Sequence, residues 1–169
     1  MIETHLAVGG AVAFWSLAEW TDRQRLRYGL EKLGLEGFVP EERLPAAALR
    51  DALTEVLGGP RTLIRPLAQK DGFAVVREDR GTVENRYATD LVARVKEGPR
   101  PHLSFEPYGP KAVAVEASFQ TQLGRVSGAQ LSSALVKVVE SLSGTRLRPT
   151  GAIYWIPGPR LADWADVGQ

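Results

Sequence analysis

Asp90, Glu106 and Glu116, with Lys96 close by in sequence, come nearest to a catalytic set in this chain. Carboxylates gathered around a lysine can hold two divalent ions and drive an in-line displacement. The separations here match no nuclease pattern. Each of these residues falls on or near a candidate strand, where solvent-facing charge is ordinary. A metal-dependent hydrolase is therefore the weakest of three functional readings. His5 and His102 stand alone and give no ligand spacing. His102 opens a strand behind two prolines and is expected at a sheet edge. No glycine-rich loop precedes a Lys-Ser or Lys-Thr pair, and no Gly-x-Ser-x-Gly elbow occurs. The chain has no cysteine. Thiol catalysis, thiolate-bound zinc, iron–sulfur clusters and disulfides are thereby excluded. No catalytic residue, metal site or cofactor is assigned, and the reading leans away from an enzyme.

Arginine offers a second kind of chemistry. Of 21 basic residues, 16 are Arg, which offers a planar fork for carboxylate or phosphate where Lys offers a point charge, although a GC-rich genome that favours Arg and Ala codons accounts for the same bias. Arg77, Arg86 and Arg94, with Lys96, lie on candidate strands. Arg146 and Arg148 share strand parity and should point to one face. If such strands were neighbours, their face would follow a phosphate backbone, and Tyr87, Tyr108 or Tyr154 could stack on bases. Against this, Glu78, Glu84 and Asp90 can pair those arginines. The formal charge is only +1, so nucleic-acid binding ranks second.

Four tryptophans supply a third feature. Trp15 and Trp155 are expected to fill a core between sheet and helices. Trp20 and Trp164 flank segment ends, and with Leu161 they are candidate interaction anchors, because aromatic side chains are enriched in protein interfaces.

These groups need a scaffold. Residues 6–17 read as extended chain with a turn or bulge at Gly9-Gly10. Thr21 and Gln24 form a capping box, and Leu26, Leu30 and Leu33 give a helical stripe that Gly34 ends. Pro45 opens a second helix with Leu49, Ala52, Leu53, Val56 and Leu57 on one face, stopped by Gly58-Gly59-Pro60. The stretch from Gly34 to Leu44 is too long for the turn of a DNA-reading helix-turn-helix, which takes about 3–4 residues. Thr62–Leu67, Phe73–Arg77, Tyr87–Val95, His102–Glu106 and Ala112–Phe119 are candidate strands. The third could also be a helix, since Val92 interrupts its polar side. Lys70-Asp71-Gly72, Glu78 to Gly81, Glu97 to Pro101 and Tyr108 to Pro110 are turn signals. Ser127 and Gln130 form another capping box ahead of the stripe Leu131, Leu135, Val138, Val139 and Leu142, with Gly144 at its end. Ala152 to Pro157 is apolar on both sides, as in a central strand. Pro159 to Val167 starts as a helix.

The 169 residues, 44% hydrophobic and 24% charged, suit one folded domain. At this length a chain buries roughly two-thirds of its unfolded surface and needs no metal to fold. The apolar run Leu6–Ala18 is too short to span a bilayer. Met1 to His5 carries Glu3 and no Lys or Arg, and makes a poor signal peptide. A cytoplasmic protein is expected, with no membrane association.

The stretch Arg146-Leu-Arg-Pro-Thr-Gly-Ala-Ile-Tyr-Trp-Ile-Pro157 resembles the most distinctive segment of an uncharacterised domain-of-unknown-function family associated with bacteria, phages and mobile elements. The order of earlier parts is similar too: the helix ending at Leu33-Gly34-Leu35, the loop with Pro40, the Ala-rich helix to Leu57 and the Leu103–Glu106 strand. The sequence departs from the family pattern at Ala152 and Trp155. The resemblance carries no activity or catalytic residue to transfer. It does imply that related chains continue into a helical extension.

The expected fold is α+β: a mostly antiparallel sheet of about five or six strands packed against about three helices. One domain is expected over residues 1–157, with a helical pair at 21–58 and sheet and helix at 61–157. Residues 158–169 would start a C-terminal helical extension that is cut short at Gln169. The leading expectation for function is a non-catalytic protein-interaction module in a mobile-element or defence-related complex. Its protein partner, or a homo-oligomeric mate, would bind through the C-terminal segment and a free sheet edge.

Overall fold

In the computed structural model the elements run β1 (Ile2–Ala7), β2 (Gly10–Trp15), β3 (Trp20–Asp22), α1 (Arg23–Lys32), α2 (Pro45–Leu57), β4 (Thr62–Pro66), β5 (Gly72–Arg80), β6 (Asn85–Lys96), β7 (His102–Glu106), α3 (Pro110–Leu123), β8 (Arg125–Ser127), α4 (Gly128–Ser141), β9 (Thr145–Arg146), β10 (Ile153–Pro157) and α5 (Leu161–Val167). The structure describes residues 1–80, 85–96, 98 and 100–167. Gly81, Glu84, Glu97, Pro99 and Gln169, named above, lie outside the described residues.

The α+β class and the antiparallel pairing hold. The strands are shared among sheets of four, two and four, ordered β1-β2-β10-β9, β3-β8 and β4-β5-β6-β7. Contacts gather in two compact units. The first takes Met1–Glu41 with Arg125–Gln169, and the second takes Glu42–Gly124. The helical pair is thus divided, α1 belonging to the first unit and α2 to the second.

In the first unit, β1 and β2 form a hairpin closed by Val8-Gly9, with Gly9 at φ 79°. The last strand, β10, lies inside the sheet between β2 and β9. α4 and α5 cover one face. The core there is Ala13, Val138, Val139, Leu142, Tyr154, Ile156 and Trp164. The Ser127–Gln130 capping box forms as read. Two boundary readings shift. The α1 cap is Asp22, whose carboxylate accepts from Arg25 N, while Thr21 pairs with Val126 in β3-β8. Adjacent Thr and Asp both suit a cap, and the strand pairing decides between them. At the end of α4 the left-handed residue is Ser143, at φ 61°. Gly144 is needed for close approach instead: a Cβ there would sit 2.3 Å from Val139 Cγ1.

In the second unit α2 and α3 pack on one face of the sheet around Leu49, Leu53, Val75, Leu91, Val115 and Phe119. The Tyr87–Val95 segment is a strand, inside β6. The expected strand Ala112–Phe119 is instead part of α3. Its buried residues are Ala112, Val115, Phe119 and Gln122, a helical period, and Val113 is 53% exposed, which breaks the alternation. Pro110 stands in the first turn, where its missing N–H costs nothing.

Candidate interaction surface

Strand alternation sends successive side chains of β2 and β10 to opposite faces. Ala11 and Ala13 of β2 and Tyr154 and Ile156 of β10 face the helices and are buried. The alternate positions are Val12 and Phe14 on β2 and Ile153 and Trp155 on β10, paired Phe14 with Ile153 and Val12 with Trp155. All four are half-buried and stand apart from the core cluster. They form an apolar patch on the outer face of the sheet. Trp155 lies close to Gly10, where a Cβ would sit 2.6 Å from its ring. At the patch border the His5 ring stacks on Phe14, centroids 5.4 Å apart and planes 4° from parallel. Trp155, expected in the core, is therefore on this outer face.

Trp15 and Trp164 belong to the helix side. Trp15 stacks on Tyr154 and donates from Nε1 to Ser132 Oγ at 3.0 Å. Trp164 is buried, 1% exposed, and its Nε1 donates to Thr4 Oγ1 at 3.1 Å. Leu161 packs half-buried against the same core. The proposed C-terminal anchors are thus interior groups of the first unit. Trp20 is half-buried and lines a shallow groove with Trp15, Gly128 and Ser132.

The arginines do not form one face. β6 carries a bulge at Asp90, opposite the step from Val75 to Val76. An extra residue reverses parity beyond it. Arg86 and Arg77 consequently fall on the helix side of the second sheet and Arg94 on the other, with Lys96. Arg77 Nη2 lies 3.3 Å from Asp90 Oδ2, and Arg94 Nε lies 3.7 Å from Asp71 Oδ2. Lys111 Nζ donates to Asp90 at 2.7 and 2.5 Å. That hydrogen bond, with the Lys111 and Arg77 charges, holds the Asp90 carboxyl below its ordinary pKa against a smaller opposing effect of burial. Arg146 and Arg148 belong to the first unit. Arg146 donates through Nε and Nη2 to the Tyr154 hydroxyl at 3.0 and 2.8 Å. β9 ends at Arg146, so the strand parity does not extend to the exposed Arg148. The sequence reading missed Arg65, whose guanidinium lies 5.8 Å from the Tyr87 ring centroid on the outer face of the second sheet.

The hydrolase carboxylates also separate. Asp90 is ion-paired, Glu106 is on the edge strand β7, and Glu116 is on α3 rather than a strand. His102 opens that edge strand, as expected. Among the described residues no three His, Cys, Asp or Glu side chains gather where they could hold a metal ion. No described helix is long and apolar enough to cross a membrane.

The structure defines an α+β protein of antiparallel sheets, each four-stranded sheet backed by helices on one face. The chain belongs to DUF6744, a family of unknown function, which matches residues 8–163. Neither curated proteins nor solved structures give a match.

Proposed function

We propose that the protein is a non-catalytic protein-interaction module that binds its partner through the outer face of the first sheet. The observation behind this reading is the patch of Val12, Phe14, Ile153 and Trp155, two aromatic and two β-branched side chains on adjacent strands. Rigid strands hold these side chains at little further entropy cost on binding, and desolvated aromatic anchors carry most of the energy of protein interfaces. The cysteine-free composition suits a cytoplasmic location. The test places a photoreactive side chain at Phe14 in the full chain, identifies the cross-linked protein and purifies it. Binding to the purified partner is expected to weaken at least tenfold in Phe14→Lys and in Ile153→Lys, with thermal unfolding still cooperative. Equal affinity of wild type and both variants would overturn the reading.

Nucleic-acid binding is the second reading. The observation favouring it is the exposed Tyr87 under Arg65, with Arg94 and Lys96 on the same sheet face. Anisotropy of labelled single-stranded DNA and RNA at low salt tests it. Binding that falls with salt and with Arg65→Ala or Tyr87→Ala supports it. No binding at low salt removes it.

A further inference from the structure

The outer edge of β1 is open: no strand among the described residues pairs with it. Ser16 N donates to Met1 O at 2.9 Å, and the Met1 amine donates back to Ser16 O. Met1 and Ser16 are therefore a hydrogen-bonded pair, and in an antiparallel ladder such pairs alternate. Glu3, His5 and Ala7 turn their peptide groups toward β2. Ile2, Thr4 and Leu6 turn theirs outward. Edge strands are ordinarily blunted by proline, lysine or a bulge. β1 has neither residue, and its six pairs with β2 run without a register shift. Leu6 is 83% exposed.

The strand sequence Ile2-Glu3-Thr4-His5-Leu6 is self-complementary about Thr4. Antiparallel pairing with a second copy, centred there, sets Thr4 opposite Thr4, Ile2 opposite Leu6 and Glu3 opposite His5. Every outward-turned peptide group then meets another outward-turned group, so the ladder closes with the correct alternation. Glu3 and His5 fall at the narrow, non-hydrogen-bonded positions, where facing side chains approach most closely. Within one chain His5 Nε2 is already 3.7 Å from Glu3 Oε2. Two copies would interleave these groups as acid, base, acid, base. A register moved by two residues loses both Glu3–His5 pairs. A register moved by one turns outward peptide groups against inward ones.

We infer that β1 is a homodimerisation edge, which joins the first sheets of two copies into one continuous sheet. The inference concerns the sheet edge and stands independently of the partner proposed for its face. A strand pair of this length buries less than a standard interface, so dissociation in about the micromolar range is expected.

The test is sedimentation velocity of the full chain over a concentration series reaching about 500 μM, at a fixed pH near neutrality. A monomer–dimer equilibrium is expected. Glu3→Lys removes the carboxylate that faces His5 at both places and should weaken the dimer about tenfold or more. Adding His5→Glu sets opposite charges against each other at both places and should recover association. Register is read by cysteine cross-linking, with no background because the chain has no cysteine of its own. Opposed residues at non-hydrogen-bonded positions have Cα atoms about 4.5 Å apart, within disulfide reach. Glu3→Cys mixed with His5→Cys should give an oxidised heterodimer, and neither variant alone should. A chain that stays monomeric throughout would overturn the inference. So would a dimer indifferent to Glu3→Lys, or a mixture that fails to cross-link.

Discussion

The rings of Trp15 and Tyr154 lie face to face, centroids 5.3 Å apart and planes 4° from parallel. One belongs to the second strand of the chain and the other to the last. Trp164 joins them at 6.1 Å from Trp15, tilted by 43°. The polar ends of the two indoles are anchored apart, Trp15 on Ser132 of α4 and Trp164 on Thr4 of β1. One aromatic group therefore ties the hairpin, the closing strand and both covering helices of the first unit.

Trp164→Ala should be among the most damaging single substitutions. A wholly buried indole replaced by a methyl group leaves a cavity, and such changes cost about 3–5 kcal/mol. Trp164→Phe keeps most of the volume but leaves Thr4 Oγ1 without its donor, at about 1 kcal/mol. Urea unfolding of the three chains checks the order. Similar midpoints for wild type and Trp164→Ala would contradict the packing described.

Gly10 and Gly9 should respond differently to alanine. At Gly10 the new Cβ would lie 2.2 Å from Ile156 O and 2.6 Å from the Trp155 ring. The strand pair must spread or the indole must leave, at about 1–3 kcal/mol. At Gly9 the space is open and only the positive φ is strained, at about 1 kcal/mol. Trp155 fluorescence in a background of Trp→Phe at the other three sites should shift for Gly10→Ala and stay unchanged for Gly9→Ala.

Gln122 is a buried polar side chain between two charged ones. Its Oε1 accepts from Arg43 Nη1 at 2.9 Å, and its Nε2 donates to Glu55 Oε2 at 2.9 Å. Arg43 also pairs with Asp51, and Ser118 Oγ donates to Glu55 at 2.6 Å. Gln122→Leu preserves volume but removes a donor and an acceptor at once. A loss of about 1–3 kcal/mol in unfolding free energy is expected.

Asp90 gives a dependence on pH. Its carboxyl is held below the ordinary range, first by the Lys111 hydrogen bond. A depressed folded-state pKa contributes stability above the unfolded value, about 3.9, and that contribution is lost as pH falls through the folded value. Lys111→Met should move the Asp90 pKa upward in a carbon-13 carboxyl titration. The stability difference between Lys111→Met and wild type should shrink below about pH 4. An unmoved Asp90 titration would show that Lys111 does not hold it.

Most elements could be read from the sequence because their signals were local. Pro45, the Ser127–Gln130 box and the apolar run at Ile153–Ile156 each mark an element that exists. α3 was misread because Val113, Val115, Ala117 and Phe119 alternate while Val115 and Phe119 also sit a helical turn apart. The buried Gln122 concealed the last turn, since a polar residue there reads as surface. The face taken by Trp155 was not legible. An inner strand apolar on both sides says nothing about which side meets the helices. Arg86 and Arg94 part to opposite faces at Asp90 because a bulge depends on the partner strand, which the β6 sequence alone does not specify.

The first unit is assembled from both ends of the chain, whereas the second is one unbroken stretch. This nesting imposes an order during synthesis. Residues 42–124 emerge from the ribosome before β8 to β10 do. Until then β1 and β2 are an isolated hairpin, a form that is marginal in water. Trp15 waits without Tyr154 or Trp164, and its hairpin is solvated on both faces. Translation therefore places the self-contained unit first in time and leaves the end-joined unit for last. A premature stop beyond Gly124 would release a chain that holds all of the second unit, with the aromatic faces of its first hairpin bare to any chaperone.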